Sequence, residues 1–291
     1  MTTVEHGDLI ARAGFTVHEF PNGERVYFRD PGHSYWRDVN LAGSKVTGSG
    51  RLTGISGVVA PLDWRADNLV AWAARTDHAG IVALAAEALG CDDPAEIRAG
   101  LEFLRDPESC AAALEVAGLR WQDTRDQAAA RGTRAHVLAL EALAAGRPVP
   151  DFDGIPERER GYARAVAAWW LDTDPQPVVS EQVVADLDLG IAGRLDLVYV
   201  DRADQTVLAD LKTSSWVGPK FAAQATLYRH CYEACGFGAI DRVEIVQARD
   251  DGSYRVVPVE CDLSDVLVAV ECYRASGRIG GQVRRALKDA A

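Results

Sequence analysis

Two short apolar runs constrain this chain more than anything else in it: Ile191 to Val200 (IAGRLDLVYV) and Thr206 to Lys212 (TVLADLK). Both are rich in β-branched residues and bounded by turn formers, so each reads as a short strand. Side chains alternate along a strand, which sends Asp210 and Lys212 off one face and Leu211 into the core. Arg194 and Asp196 share a face for the same reason. Two carboxylates on neighbouring strands, with a lysine beside one of them, suit a hard divalent cation and the water it activates. That chemistry serves phosphodiester hydrolysis.

Alone, an Asp-x-Lys on a strand is a common solvent-facing pattern. Here the alternate positions are apolar, a second strand supplies Asp196 three residues after Gly193, and a helix carrying Gln224 and Tyr228 follows at once. An unpaired carboxylate inside an apolar run is costly, which weighs against Asp196 as a mere turn former. Mg²⁺ or Mn²⁺ suits such hard oxygen donors. Lys212 is placed to orient the attacking water and help deprotonate it, or to stabilise charge in the transition state. Its structural alternative is a salt bridge to either aspartate, and the two readings are compatible.

The ordered set Glu181, Gly193-x-x-Asp196, Asp210-x-Lys212 and Gln224-x-x-x-Tyr228 resembles the PD-(D/E)XK nucleases. The nearest branch is the RecB-like one, with its phage exonucleases and CRISPR-adaptation exonucleases. Arg131-Gly132-Thr133-Arg134-Ala135-His136 is similar to that branch's upstream helical histidine motif, so the resemblance spans residues 120–235. It implies a restriction-endonuclease-like α/β (α+β) core, with a central mixed β-sheet flanked by helices. It also implies a metal held by His136, Asp196, Asp210 and the backbone carbonyl of Leu211, with the histidine nitrogen favouring Mn²⁺. Glu181 takes the family's acidic position at the opening of the first core strand, as a ligand to a second metal or a water, or simply as a solvated strand end. Gln224 and Tyr228, one helical turn apart, are placed to hold the lysine, the scissile phosphate or a base, or to serve the core. Arg194, Lys220, Arg131 and Arg134 are candidate contacts to a nucleic-acid backbone. His33-Ser34-Tyr35, Thr53-Gly54-Ile55-Ser56 and Trp72 add a softer similarity to the leader region of phage proteins of this type.

The rest of the chain sets bounds. With 291 residues, 48% of them hydrophobic, it can bury a sizeable core. No apolar run is long enough to span a bilayer, and the N-terminus lacks the basic start and apolar run of a signal peptide, so a cytoplasmic protein without membrane contact is expected. The six cysteines are scattered, and the cysteine pattern by which some relatives hold an iron–sulfur cluster is missing, so no such cluster is expected. A net charge of −12 argues against a protein that coats nucleic acid by charge alone. A local basic channel is compatible with it.

Along the chain, residues 15–40 alternate around two turns and predict two or three antiparallel strands. Residues 43–57 are rich in Gly, Ser and Thr and read as a loop. Helices are expected over 64–90, 94–104, 107–118 and 120–145, then a turn-rich linker over 148–156. A helix over 157–171 precedes strands at 178–186, 189–200 and 206–212, a helix at 219–235, strands at 242–248 and 253–259, and a final helix at 262–288. The first three core strands can form an antiparallel meander, and the helix then crosses to the next strand. This divides the chain into a β-hairpin region (1–60), a helical region carrying His136 (61–150) and a nuclease core (151–291), packed together.

The function implied is a metal-dependent DNA nuclease, an exonuclease of phage recombination or DNA processing, with DNA ends as substrate and a recombination protein as partner. Two other classes stay open: a nuclease-fold protein that binds DNA or a partner without cutting, and an RNA-directed phosphodiesterase on the same scaffold.

Overall fold

The computed structural model describes residues 3–30, 32–42, 45–62, 66–136, 140, 144, 146 and 155–289. Pro31 of the second expected turn, Trp64, the end of the expected 120–145 helix and most of the 148–156 linker lie outside the described residues. The chain forms two compact units, residues 1–63 with 135–291, and residues 64–134.

The larger unit is built on a nine-stranded mixed sheet with helices against it. After α1 (Thr3–Arg12), an antiparallel meander comprises β1 (Phe15–Glu19), β2 (Arg25–Arg29), β3 (Ser34–Ala42) and β4 (Lys45–Gly54). The expected strands over 15–40 are there. The expected loop over 43–57 is largely β4, and that is a correction. Its Gly, Ser and Thr residues pair with β3 from Tyr35↔Leu52 to Ala42↔Lys45. Gly48 is needed in that ribbon because the Trp36 indole occupies the place a β-carbon would take. A short helix, α2 (Ile55–Val58), follows β4.

The core strands β5 (Gln176–Asp186), β6 (Ile191–Val200) and β7 (Thr206–Lys212) form the expected antiparallel meander. The helix after β7 runs over Pro219–Ala234 and leads to β8 (Arg242–Ala248), which lies parallel to β7. Strand β9 (Tyr254–Pro258) closes the edge, and a last helix covers Leu263–Asp289. Alternation along β6 and β7 sorts the core into two layers. Leu197, Tyr199, Val207, Ala209 and Leu211 pack with Ala165, Val166 and Trp169 of the helix Glu157–Thr173. Val198 and Leu208 pack with Ala225, Leu227 and Tyr228 of Pro219–Ala234. Asp196, Asp210 and Lys212 share the parity of Val198 and Leu208, so the pleat directs them to the second layer.

One feature of β6 positions everything that follows. Strand β5 occupies one edge of β6 along its whole length. On the other edge β4 pairs only at Ile191 and Ala192, and β7 only from Leu197 to Val200. Residues 193–196 therefore face a fork where β4 and β7 part.

The smaller unit is helical, with α3 (Ala66–Leu89), α4 (Pro94–Gly100), α5 (Pro107–Val116) and α6 (Trp121–Ala135), whose last residue begins the larger unit. Asp93 and Asp106 cap the N-termini of α4 and α5 with proline in the first turn, the arrangement expected of such starts. Continuing in chain order, Glu157–Thr173 is α7, Pro219–Ala234 is α8 and Leu263–Asp289 is α9. No described helix is long and apolar enough to cross a membrane.

Candidate metal centre at the strand fork

Asp196 is the last residue of β6 before its pairing with β7 resumes at Leu197↔Ala209. Because the strands have parted, the backbone N–H of Leu211 has no β6 carbonyl opposite it. It donates instead to Asp196 Oδ2 at 2.7 Å. The carboxylate thus stands in for a rung of the ladder and is fixed by it.

Glu181 does not open its strand. It lies in the middle of β5, between the pairs Ser180↔Leu197 and Gln182↔Leu195, and so opposite Asp196. Its φ of +51° is left-handed, a conformation that costs a non-glycine residue on the order of 1 kcal/mol and is concentrated at functional sites. His136 completes the group from the residue after α6. Its Nδ1 is 3.5 Å from Asp196 Oδ1 and 3.7 Å from Glu181 Oε1, and its Nε2 is 3.1 Å from the carbonyl oxygen of Leu211. The ligand atoms of His136, Glu181 and Asp196 all lie within 4.8 Å of one another. Arg194 Nε pairs with Glu181 Oε2 at 2.9 Å, which holds that carboxylate from the far side.

Asp210 stands outside this trio but within its field. Its side chain is 1% exposed, and Lys212 Nζ lies 2.6 Å from Oδ2. Among the described residues no hydrogen-bond donor reaches its buried Oδ1. A buried carboxylate oxygen without a donor is the kind of group a cation satisfies. Burial pushes the Asp210 carboxyl up to about 6; the Lys212 ammonium opposes this, and the charge of Asp196 adds to it. Burial works to lower Lys212, but Asp210 and Asp196 more than reverse it, so the amine stays an ammonium. That excludes Lys212 as a resting general base and leaves it the electrostatic role. For His136, burial works downward while the Asp196 charge and the Glu181 hydrogen bond work upward, and the ring ends raised, at about 9. The donor set, two clustered carboxylates, an imidazole, a carbonyl and an orphaned carboxylate oxygen, fits a divalent cation.

The α8 pair is also in the site. Gln224 Nε2 donates to Tyr228 Oη at 2.9 Å, leaving the phenol proton free to be donated elsewhere. Burial, reinforced by the charges of Asp210 and Asp196, holds the Tyr228 hydroxyl well above its ordinary pKa. Lys220 lies in the first turn of α8. Arg131 and Arg134 lie on α6 in the smaller unit, both half-buried.

Two neighbours were given no role from sequence. Burial raises Tyr35 of β3 to about 12, with Arg194 lowering it and Asp30 and Glu181 raising it, so its hydroxyl lies in the field of the Arg194–Glu181 pair. Ile55 of α2 packs at Gly193. Both belong to the N-terminal pattern His33-Ser34-Tyr35 and Thr53-Gly54-Ile55-Ser56, which was the available signal.

No family model matches this chain, and no curated protein does. Among solved structures, the chain is similar to an alkaline exonuclease from Laribacter hongkongensis, at 16% identity over 43% of this chain and 69% of that one, with a TM-score of 0.32. A second structure of that exonuclease, in complex with dAMP, is 15% identical over 54% of this chain and 85% of that one, with a TM-score of 0.31.

Proposed function

We propose that this protein is a divalent-metal-dependent deoxyribonuclease that hydrolyses phosphodiester bonds from DNA ends. The observation that carries the reading is the convergence of His136, Glu181 and Asp196 beside the buried Asp210–Lys212 pair. His136, Glu181, Asp196, Asp210 and the Leu211 carbonyl would hold Mg²⁺ or Mn²⁺, which supplies Lewis acidity at a phosphoryl oxygen and lowers the pKa of a bound water.

The remaining work falls to the chain's own side chains. Lys212, kept as an ammonium, neutralises charge that develops on the phosphoryl oxygens in the transition state. Arg194 orients Glu181, and the Leu211 N–H orients Asp196, so neither carboxylate must be reorganised when substrate arrives. Tyr228, positioned by Gln224, offers a hydroxyl donor from the helix on the side of the sheet that Asp196 and Asp210 face. Lys220, Arg131 and Arg134 are proposed contacts to the DNA backbone.

The test is digestion of end-labelled linear and of circular DNA, single- and double-stranded, with Mg²⁺, Mn²⁺ or EDTA. Linear DNA should be degraded with either metal and spared in EDTA, and circular DNA should resist. Undiminished cleavage in excess chelator would sink the assignment.

A further inference from the structure

Lys212 has a second neighbour besides Asp210. Its Nζ lies 5.3 Å from the centroid of the Phe221 ring, and the Nζ of Lys220 lies 5.2 Å from the same centroid. Phe221 sits in the first turn of α8, its backbone N–H donating to the Gly218 carbonyl at 2.9 Å, so the ring is carried on a fixed helical start. It is half-buried, where an aromatic face attracts a cation more strongly than at a fully wet surface.

Two features make this arrangement worth explaining. The first turn of α8 holds no acidic residue, yet it holds Lys220, and the positive end of a helix disfavours a lysine. Lys212 is drawn towards Asp210, and nothing in that ion pair fixes the direction of its remaining N–H bonds. The aromatic face does so, because an ammonium between a carboxylate and a ring has a defined approach to each.

We propose that Phe221 is a positioning residue whose ring gathers the ammonium groups of Lys212 and Lys220, so that a phosphodiester backbone at the fork meets two cations. The phosphate recognised is that of a nucleic-acid strand, and the inference rests on the nuclease reading of the site. Phe221 itself touches no reacting atom.

The experiment compares Phe221→Leu, which keeps apolar volume but loses the ring face, with Phe221→Tyr, which keeps both. In protein labelled with ¹³C-lysine, the ε-methylene signals of Lys212 and Lys220, assigned through Lys→Arg variants, should lose their ring-current shift in Phe221→Leu and retain it in Phe221→Tyr. Phe221→Leu should lower kcat about tenfold or more at unchanged melting temperature, and Phe221→Tyr should restore it. Binding of a phosphorothioate oligonucleotide that resists hydrolysis should become less salt-dependent in Phe221→Leu, by a log–log slope of about one. Wild-type lysine shifts in Phe221→Leu would overturn the inference whatever the protein cleaves. Normal ring-current behaviour in a wild-type protein that cuts no DNA would instead overturn the nuclease reading. Loss of activity that Phe221→Tyr does not restore would reduce Phe221 to a packing residue.

Discussion

Asp196 and Asp210 continue the β6–β7 register one step beyond its last pair, Leu197↔Ala209, at the point where the two strands part. In a closed sheet their carboxylates would crowd on one face as a like-charged cross-strand pair, a destabilising arrangement. The fork separates their roles. Asp196 takes the Leu211 N–H, and Asp210 turns to Lys212.

Asp210→Asn should abolish cleavage and raise the melting temperature of metal-free protein at pH 8. The folded carboxyl is raised to about 6 from an unfolded value of 3.8, so its ionisation opposes folding. Below 3.8 both states are neutral and the cost is absent; above about 6 it is fully present. The gain of Asn over Asp should therefore be on the order of 3 kcal/mol at pH 8 and shrink towards zero near pH 4. Denaturation of both proteins across that range checks it, and a constant difference would refute the assignment.

Lys212→Met acts in the opposite direction. It leaves the buried Asp210 carboxylate without its cation, which should cost about 3 kcal/mol at pH 8 as well as activity. The double variant Asp210→Asn with Lys212→Met should recover most of that stability. Additive effects in this cycle would show that the two groups are not coupled.

Gly193→Ala tests the packing behind the fork. A β-carbon there would lie 2.6 Å from Tyr228 Cε1 and 3.2 Å from Ile55 Cδ1, and both neighbours are buried. Overpacking of this kind costs about 1–3 kcal/mol. Urea denaturation should show that loss, and kcat should fall with it because the Tyr228 ring is displaced beside Asp196 and Asp210.

Much of this arrangement could be read in advance, for identifiable reasons. Strands β7 and β8 fall at their expected residues because β-branched runs between turn formers have few other uses. Strand β4 was hidden because its glycines suit a loop by composition. It is a strand because Gly48 gives room to Trp36 on the paired strand, which only the tertiary structure reveals. The Asp196–Asp210 neighbourhood follows from alternation and a short connection. The place of Glu181 beside His136 does not, since it depends on the β5–β6 register and on a left-handed residue in mid-strand. Phe221 was passed over because an aromatic on a helix reads as core, and the cations that give it another use come from two different elements.

Metal binding should release a proton, and His136 should be its source. Only the neutral imidazole can ligate, yet with Asp196 and Glu181 beside it the ring is raised to about 9. At pH 7.5 it is therefore protonated in metal-free protein. Each Mn²⁺ bound must displace that proton, so affinity should rise about tenfold per pH unit up to about pH 9 and then level off. Calorimetry in buffers of different ionisation enthalpy should count about one proton released at pH 7.5. His136→Gln should remove both the proton release and the pH slope, and lower affinity at pH 9, where the wild-type imidazole is free to coordinate. Saturating Mn²⁺ should also stabilise the fold, by about 2.7 kcal/mol at a hundred times Kd. A pH-independent affinity in the wild type, or a slope that survives in His136→Gln, would remove His136 from the metal centre while leaving the carboxylates in place.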